Sequence, residues 1–182
     1  FSAHYGAEMV AFDGKIWLMG GRDQDVRYYQ EIWNSSDGKS WTQVIDTNLF
    51  GMSSNGEALV HDREIWYIGG YLDNVYSGVD AVAWTTHTSN APFGERLKHS
   101  SVSPNGLLWL ISGSDGLINE LTEFPDVWYS PDGVTWIQAA VDTGFEPVAD
   151  ARALSFNGKL WLLGGGGGFQ SFFVTNKVYV IE

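Results

Sequence analysis

The feature that most restricts the fold is a six-residue core that occurs four times in the 182-residue chain. Each copy has an aliphatic residue, a tryptophan, two large apolar residues, a glycine or serine, and a final glycine. The copies are IWLMGG at 16–21, IWYIGG at 65–70, LWLISG at 108–113 and LWLLGG at 160–165. A repeat of roughly 40–50 residues is typical of propellers and solenoids, in which each unit buries its apolar faces against its neighbours.

The residues around each core predict a unit of four antiparallel strands. A tight turn, most often Asn-Gly or Asp-Gly, precedes each core and joins it to an earlier apolar run, so that the two runs form a hairpin. The segments SSDGKSW (35–41) and SPDGVTW (130–136) are typical of turns into a fourth strand. The predicted third strands are 31–35, 80–84, 126–130 and 177–181.

This pattern predicts an all-β chain that forms a β-propeller of four-stranded antiparallel blades, as one domain of four repeats. The second unit has no tryptophan at the start of its fourth strand, and the last unit lacks that strand. Three arrangements stay open: a closed four-bladed ring, part of a larger propeller, or two copies that pair into a larger ring. The expected blades are approximately 1–48, 49–94, 95–145 and 146–182.

The repeats resemble the kelch family of propellers, which includes galactose-oxidase-like domains. The matching elements are the Gly-Gly after strand two, an aromatic residue in strand three and a tryptophan that opens strand four. The segment ERLKHSSV (95–102) is similar to the kelch Arg-x-x-His segment, which implies that Arg96 and His99 hold the loops between blades. The strand-three aromatic residues are Trp33, Trp84, Trp128 and Tyr179, and the strand-four tryptophans are Trp41 and Trp136.

The composition excludes several classes of function. The formal net charge is −12 with only ten lysines and arginines, so a phosphate backbone would be repelled and no nucleic acid partner is expected. There is no cysteine, which excludes disulfides, thiolate catalysis and cysteine-based metal sites. No apolar run approaches the ~18 residues that span a bilayer, so no membrane insertion is expected. We expect no metal and no cofactor, and the compartment stays open, a secreted or periplasmic one included.

Ligand-binding residues are expected on the loops that follow strand two, because a propeller presents these loops on one face. The loops carry aromatic rings beside arginines, a combination that suits a sugar or a peptide. The alternative is that these rings pack between blades. With the arginines that precede strand one, the expected set is Arg22, Tyr28, Tyr29, Tyr71, Tyr76, Arg96, Phe124, Arg152, Phe169 and Phe172.

The favoured hypothesis is a non-catalytic module that binds a glycan, protein or peptide ligand, and no residue is assigned a catalytic role. The resemblance also implies an alternative, a kelch-type sugar enzyme such as a sialic acid mutarotase, with acid/base catalysis and an arginine that pairs with a carboxylate substrate. A third hypothesis is a structural segment of a larger assembly, formed by self-association or by further blades. Candidates for the enzymatic alternative are Glu57, Glu95, Glu120, Arg22, Arg96 and Arg152.

Overall fold

The computed structural model describes residues 5–25, 27–45, 54–115, 122–139, 144–167 and 173–181. Four antiparallel sheets, the blades, are arranged around a central axis, which confirms the predicted all-β propeller. Within these ranges the helical structure is limited to one 3-10 turn, Pro104–Gly106. No helix in the described part of the chain is long and apolar enough to cross a membrane.

The main strands of each blade follow one another from the axis outward in chain order. Blade 1 contains β1 (Glu8–Phe12), β2 (Lys15–Met19), β3 (Ile32–Ser35) and β4 (Thr42–Ile45). Blade 2 contains β5 (Glu57–His61), β6 (Glu64–Ile68), β7 (Val75–Gly78) and β8 (Thr85–Thr88). Blade 3 contains β9 (Ser100–Val102), β10 (Leu108–Ile111), β11 (Val127–Ser130) and β12 (Ile137–Gln138). Blade 4 contains β13 (Arg152–Phe156), β14 (Lys159–Leu163) and β17 (Val178–Ile181), beside a small separate pair, β15 (Gly166–Gly167) and β16 (Phe173–Val174).

The turn between strands three and four is held by an aspartate in three blades. In blade 3, Ser130 and Asp132 close the turn, because Asp132 Oδ1 accepts the backbone N–H groups of Val134 at 2.9 Å and Thr135 at 2.8 Å. Asp37 makes the same pair of bonds in blade 1. These hydrogen bonds hold the pKa of Asp37 down at about 2, so the turn carries a negative charge. We call these segments Asp turns.

The third Asp turn shows that one strand assignment is wrong. The sequence pattern placed the third strand of the second unit at 80–84, but this segment is a turn in which Asp80 Oδ1 accepts from the N–H groups of Val82 and Ala83. The third strand is β7, and Trp84 occupies the position of Trp136. Ala81 concealed the turn, since it takes the glycine position with a φ of 55°. The expectation that the second unit lacks this tryptophan is therefore wrong as well.

Consecutive blades bury their facing sides against each other in three apolar clusters. Trp17 and Ile32 of blade 1 pack with Ile65 and Tyr67 of blade 2. Residues of blades 2 and 3 form the second cluster, and residues of blades 3 and 4 form the third. Because strands alternate their side chains between two faces, an inner blade needs apolar residues at nearly every strand position. This explains the continuous apolar runs of the repeated cores.

A chain of backbone hydrogen bonds joins the blades around the axis, and we call it the axial hydrogen-bond chain. The N–H of Asn55 donates to the carbonyl of Gly6 at 3.1 Å, Lys98 to Asn55 at 2.8 Å, and Asp150 to Lys98 at 2.9 Å. The four residues lie at the same position of each repeat, and all have positive φ, between 56° and 67°. These hydrogen bonds hold the inner strands of the four blades at one level along the axis. The first residues of those strands therefore lie close to the axis.

Candidate functional site

The inner strand of every blade begins at the same register position, opposite the last residue of strand two. The residues at this position are Glu8, Glu57, Ser100 and Arg152. Because the axial hydrogen-bond chain lies just before them, their side chains surround the axis at the end that also carries the loops after strand two. Two carboxylates and one guanidinium therefore meet at one place, although they are far apart in sequence.

A pocket of about 380 Å³ opens at this place, and we call it the axial pocket. All four blades line it, with charged side chains of both signs. Its volume lies within the range of pockets that hold small ligands. The lining segments are 5–8 with Arg22, 55–57, 98–99 and 150–152.

Two ion pairs cross or border the axial pocket. Arg152 Nη1 lies 3.3 Å from Glu57 Oε2, and this contact joins blade 4 to blade 2 across the axis. Lys98 Nζ lies 2.8 Å from Asp150 Oδ2 at the rim. The Arg152 side chain is 72% exposed whereas that of Glu57 is 15% exposed, so the guanidinium remains open to a molecule that enters the pocket.

The two glutamates of the pocket have strongly raised pKa values. The pKa of Glu8 is raised to about 8, first by burial and then by the nearby Glu57 carboxyl, and Arg152 opposes both effects. Burial also raises the pKa of Glu57 to about 7, again against the influence of Arg152. Near neutral pH this pair of carboxyl groups therefore holds about one proton, which can serve as a hydrogen-bond donor or an acid.

His99 lies beneath the pocket and is fully buried. Its Nδ1 is 3.1 Å from the carbonyl of Arg96, and desolvation lowers its pKa to about 3, so the ring is neutral. Within the described residues, no group of three or more histidine, aspartate or glutamate side chains is arranged to hold a metal ion. The His99 side chain supports the floor of the pocket, with its ring packed closely against Gly69 and its Cβ against Gly113.

Arg96 lies inside the protein and does not line the pocket. Its side chain is 1% exposed, and its Nη1 lies 2.5 Å from Asp126 Oδ1 while its Nη2 lies 3.1 Å from Asp126 Oδ2. It also donates to the carbonyls of Ser112 and Phe93, and its guanidinium lies 4.0 Å above the Phe124 ring. Arg96 and Phe124 thus join the segments between blades 2 and 3.

Three residues of the expected set lie close together, and one of them, Arg22, lines the pocket. The rings of Tyr28 and Tyr71 meet edge to face at 5.4 Å, and Arg22 lies beside Tyr28 through an isolated bridge. The Arg22 guanidinium also lies 4.8 Å from the Tyr5 ring. Its Nε atom is buried and has no hydrogen-bond partner among the residues that the structure describes. Tyr5 is exposed and lines the pocket together with Arg22, so these two side chains form an aromatic and cationic wall.

The remaining residues of the expected set lie elsewhere. Tyr29 bonds within its own loop, where its hydroxyl donates to Asp23 Oδ2 at 3.0 Å. Tyr76 lies on β7 rather than on a loop, and its ring is buried between blades 1 and 2. Phe169 and Phe172 lie outside the described residues, as does Glu120.

Sequence reasoning named Glu57, Arg22 and Arg152 but missed Glu8, Lys98 and Asp150. A signal for Glu8 is present in the repeat, since Glu8, Glu57 and Arg152 each lie eight positions before the first residue of a tryptophan core. Aligning the repeats on that core places them at one level of the axis. Only the folded structure shows which of the equivalent side chains face one another.

The comparisons with known proteins support the propeller architecture. The chain matches no protein-family model and no curated protein sequence. Among solved structures it is similar to YjhT, with a TM-score of 0.74 and 15% sequence identity over 90% of this chain. The match covers 60% of the YjhT chain, so the present chain spans less than two thirds of that protein. A likeness at this level of identity establishes the fold, and the function has to be argued from the site.

Proposed function

We propose that the axial pocket binds a small polyhydroxylated ligand that carries a carboxylate, that is, an acidic sugar. The observation that carries this proposal is the meeting of Arg152 and Glu57 across the axis, beside Glu8. An exposed guanidinium can pair with a ligand carboxylate through two parallel hydrogen bonds. Protonated and ionised glutamates beside it can donate to and accept from sugar hydroxyl groups.

The axial pocket attracts a small anion although the chain as a whole is strongly negative. Arg22, Lys98 and Arg152 supply three cations, of which Lys98 is paired with Asp150. The raised pKa values of Glu8 and Glu57 leave these two carboxyls partly neutral near pH 7. The chain as a whole carries a formal net charge of −12. A small anion is therefore attracted by the pocket, whereas a polyanion is repelled by the surrounding surface.

The aromatic wall provides the second element of sugar recognition. Tyr5 lines the pocket with its ring 4.8 Å from the Arg22 guanidinium, and the edge-to-face pair of Tyr28 and Tyr71 adjoins Arg22. Aromatic rings pack against the apolar faces of sugar rings, and the hydroxyl of a tyrosine remains available for a hydrogen bond. The proposed ligand is still bound without covalent chemistry, as the favoured hypothesis expected. Its proposed site is the axial pocket and not the loop face alone.

The proposal is tested by calorimetric titration with sialic acid and with a neutral N-acetylhexosamine. We expect binding of the acidic sugar, and a loss of at least tenfold in affinity in R152Q. The matched control is R63Q, which removes an exposed guanidinium from the hairpin turn at the other end of blade 2. Equal binding of both sugars, or equal effects of the two substitutions, would contradict the proposal.

A second candidate function is mutarotation of such a sugar, and the raised pKa values of the glutamates favour it. A group that exchanges protons near neutral pH is suited to general acid/base catalysis. Protonated Glu8 would donate to the ring oxygen while the Glu57 carboxylate accepts the proton of the anomeric hydroxyl. The bond between the anomeric carbon and the ring oxygen breaks, its electron pair remains on the oxygen, and the hydroxyl becomes a carbonyl. Reversal of these steps on the other face gives the second anomer.

This candidate is tested by nuclear magnetic resonance measurement of anomer exchange. We expect E8Q to slow the catalysed exchange by about 10²-fold or more while ligand affinity changes only slightly. The control is E95Q, which alters an exposed glutamate that does not line the axial pocket. The outcome that excludes catalysis is anomer exchange at the uncatalysed rate when the sugar is bound to the unmodified protein. The binding function would then remain.

A further inference from the structure

Ser100 occupies in blade 3 the register position that carries a charged residue in each of the other blades, but it does not line the axial pocket. The residue is only 3% exposed. Its Oγ accepts a hydrogen bond from the backbone N–H of Ala153 at 2.8 Å. Ala153 directly follows Arg152, so this hydrogen bond joins blade 3 to the stretch of blade 4 that carries the guanidinium.

A second hydrogen bond attaches the same stretch of blade 4 on the other side of Arg152. The N–H of Asp150 donates to the carbonyl of Lys98 at 2.9 Å, as one step of the axial hydrogen-bond chain. Both acceptors, the Lys98 carbonyl and the Ser100 hydroxyl, belong to the segment that begins blade 3. The backbone of Arg152 is therefore attached to blade 3 two residues before it and one residue after it.

The guanidinium of Arg152 has few contacts of its own that hold it in place. Its side chain is 72% exposed, and among the residues that the structure describes its only ion pair is the 3.3 Å contact with Glu57 Oε2. An exposed arginine has many accessible rotamers, so the place that its guanidinium reaches depends on where its backbone begins. A shift of the backbone at 152–153 would therefore move the guanidinium away from Glu57 and from the pocket.

The junction between blades 1 and 2 contains the same kind of contact at the same position. There the N–H of Ala58 donates to the Glu8 carboxylate. Glu8 is the first residue of β1, and Ala58 is the second residue of β5. Ser100 is likewise the first residue of β9, and Ala153 is the second residue of β13. In both junctions the accepting side chain thus holds the backbone just after one member of the pair that meets across the axis.

The two acceptors differ in charge, and the difference matters for Arg152. A glutamate at position 100 could accept the same N–H, but its carboxylate would stand beside Arg152 and compete with a ligand anion for the guanidinium. The hydroxyl of Ser100 satisfies the N–H of Ala153 without adding a negative charge. Serine therefore holds the backbone and leaves the guanidinium available.

We propose that Ser100 is a positioning residue of the axial pocket, whose hydroxyl holds the backbone at Ala153 and thereby directs the Arg152 guanidinium toward Glu57 and toward the carboxylate of a ligand. The role toward a ligand rests on the proposed function. The contact between Arg152 and Glu57 exists in the free protein, so the positioning can be measured without any ligand.

S100A and S101A form a matched pair of variants for this measurement. Both replace a buried serine of β9 by alanine, but the Ser101 hydroxyl has no hydrogen-bond partner among the described residues. The quantity measured is the pKa of Glu57 in the free protein, from carboxyl-carbon resonances. We expect S100A to raise this pKa, because the positive charge of Arg152 moves away from Glu57, and we expect S101A to leave it unchanged.

The same substitutions in an R152Q background separate positioning from a general loosening of the junction. If Ser100 acts through Arg152, S100A has no further effect on the Glu57 pKa once the guanidinium is gone. An S100A shift of equal size in both backgrounds would overturn the proposal, as would an unchanged Glu57 pKa in S100A alone. Circular dichroism and thermal unfolding confirm that each variant is folded.

Calorimetric titration with sialic acid measures the consequence for binding. We expect S100A to weaken binding about fivefold or more, because a displaced guanidinium loses part of its paired hydrogen bonds to a carboxylate, whereas S101A should bind like the unmodified protein. Equal affinities of S100A and S101A would overturn the proposal. Sialic acid that does not bind the unmodified protein would refute the proposed function, and the Glu57 pKa in S100A would still decide whether Ser100 positions Arg152.

Discussion

Glu57 and Arg152 are 95 positions apart in the chain, belong to blades 2 and 4, and meet at 3.3 Å across the propeller axis. The glutamate is largely buried, and its pKa is raised to about 7 despite the nearby guanidinium. Desolvation of the carboxylate therefore outweighs the attraction of Arg152, which is exposed and screened by water. The pair holds little folding energy, and its arginine remains available to a ligand.

The first prediction concerns the influence of Arg152 on its neighbour. R152Q removes the positive charge that lowers the pKa of Glu57, so we expect that pKa to rise. Stability should change by less than about 1 kcal/mol, since the ion pair is exposed on one side. Carboxyl-carbon resonances followed through a pH titration measure the shift. An unchanged Glu57 pKa in R152Q would refute the contact.

The second prediction concerns stability against pH. The folded protein holds the Glu8 proton more tightly than the unfolded chain, because the folded-state pKa is raised from 4.5 to about 8. This contribution to stability is fully present below about pH 4.5 and is lost as the pH rises through about 8. E8Q should therefore flatten the decline, and at pH 8.5 it should be more stable than the unmodified protein by about 1–3 kcal/mol.

Urea denaturation at a series of pH values measures this effect. E95Q serves as the control, because Glu95 is exposed, and its profile should follow that of the unmodified protein. Parallel profiles for E8Q and the unmodified protein would show that Glu8 keeps an ordinary pKa in the folded state.

The third prediction concerns the contact between the blade 3 Asp turn and blade 2. G133A forces a methyl group into the Trp66 indole at a φ of +73°, so we expect a loss of about 2–4 kcal/mol. G158A has the same φ with no atom within 4 Å, and it should lose only about 1 kcal/mol. Chemical denaturation compares the two. Equal losses would mean that the strained backbone alone, and not the inter-blade contact, determines the cost.

The fourth prediction concerns the buried ion pair of Arg96 and Asp126. R96A leaves the Asp126 carboxylate and two carbonyls without their donor, so we expect a loss of about 3–5 kcal/mol. K98A, two positions along the chain, breaks an exposed pair with Asp150 and should cost less than about 1 kcal/mol. The free energy of unfolding from denaturant titrations tests both values. A small effect of R96A would show that the guanidinium is not needed to join the blades.

Much of the fold could be predicted because its signals are local. The turn at Asp13-Gly14 has positive φ at both residues, and such a turn joins two apolar runs into a hairpin wherever it occurs. The third strand of blade 2 escaped prediction because Ala81 takes the left-handed conformation that glycine usually supplies. The alternation of Val82 and Trp84 then imitated a strand.

The candidate site was predicted only in part. Arg22, Tyr28 and Tyr71 were expected together because they lie on loops of one face, and the structure places them side by side, with Arg22 in the lining of the pocket. Tyr76 was misplaced together with the strand that carries it. Glu8 has no local motif, and its importance comes from its neighbours Glu57 and Arg152 on other blades.

The number of blades and their inner hairpins follow from the sequence, since four tryptophan cores with tight turns specify antiparallel strands through contacts between residues close in the chain. The tertiary structure decided which charged side chains meet at the axis and which pKa values they acquire. Burial and distance between blades depend on how whole sheets pack, and no short stretch of sequence contains that information.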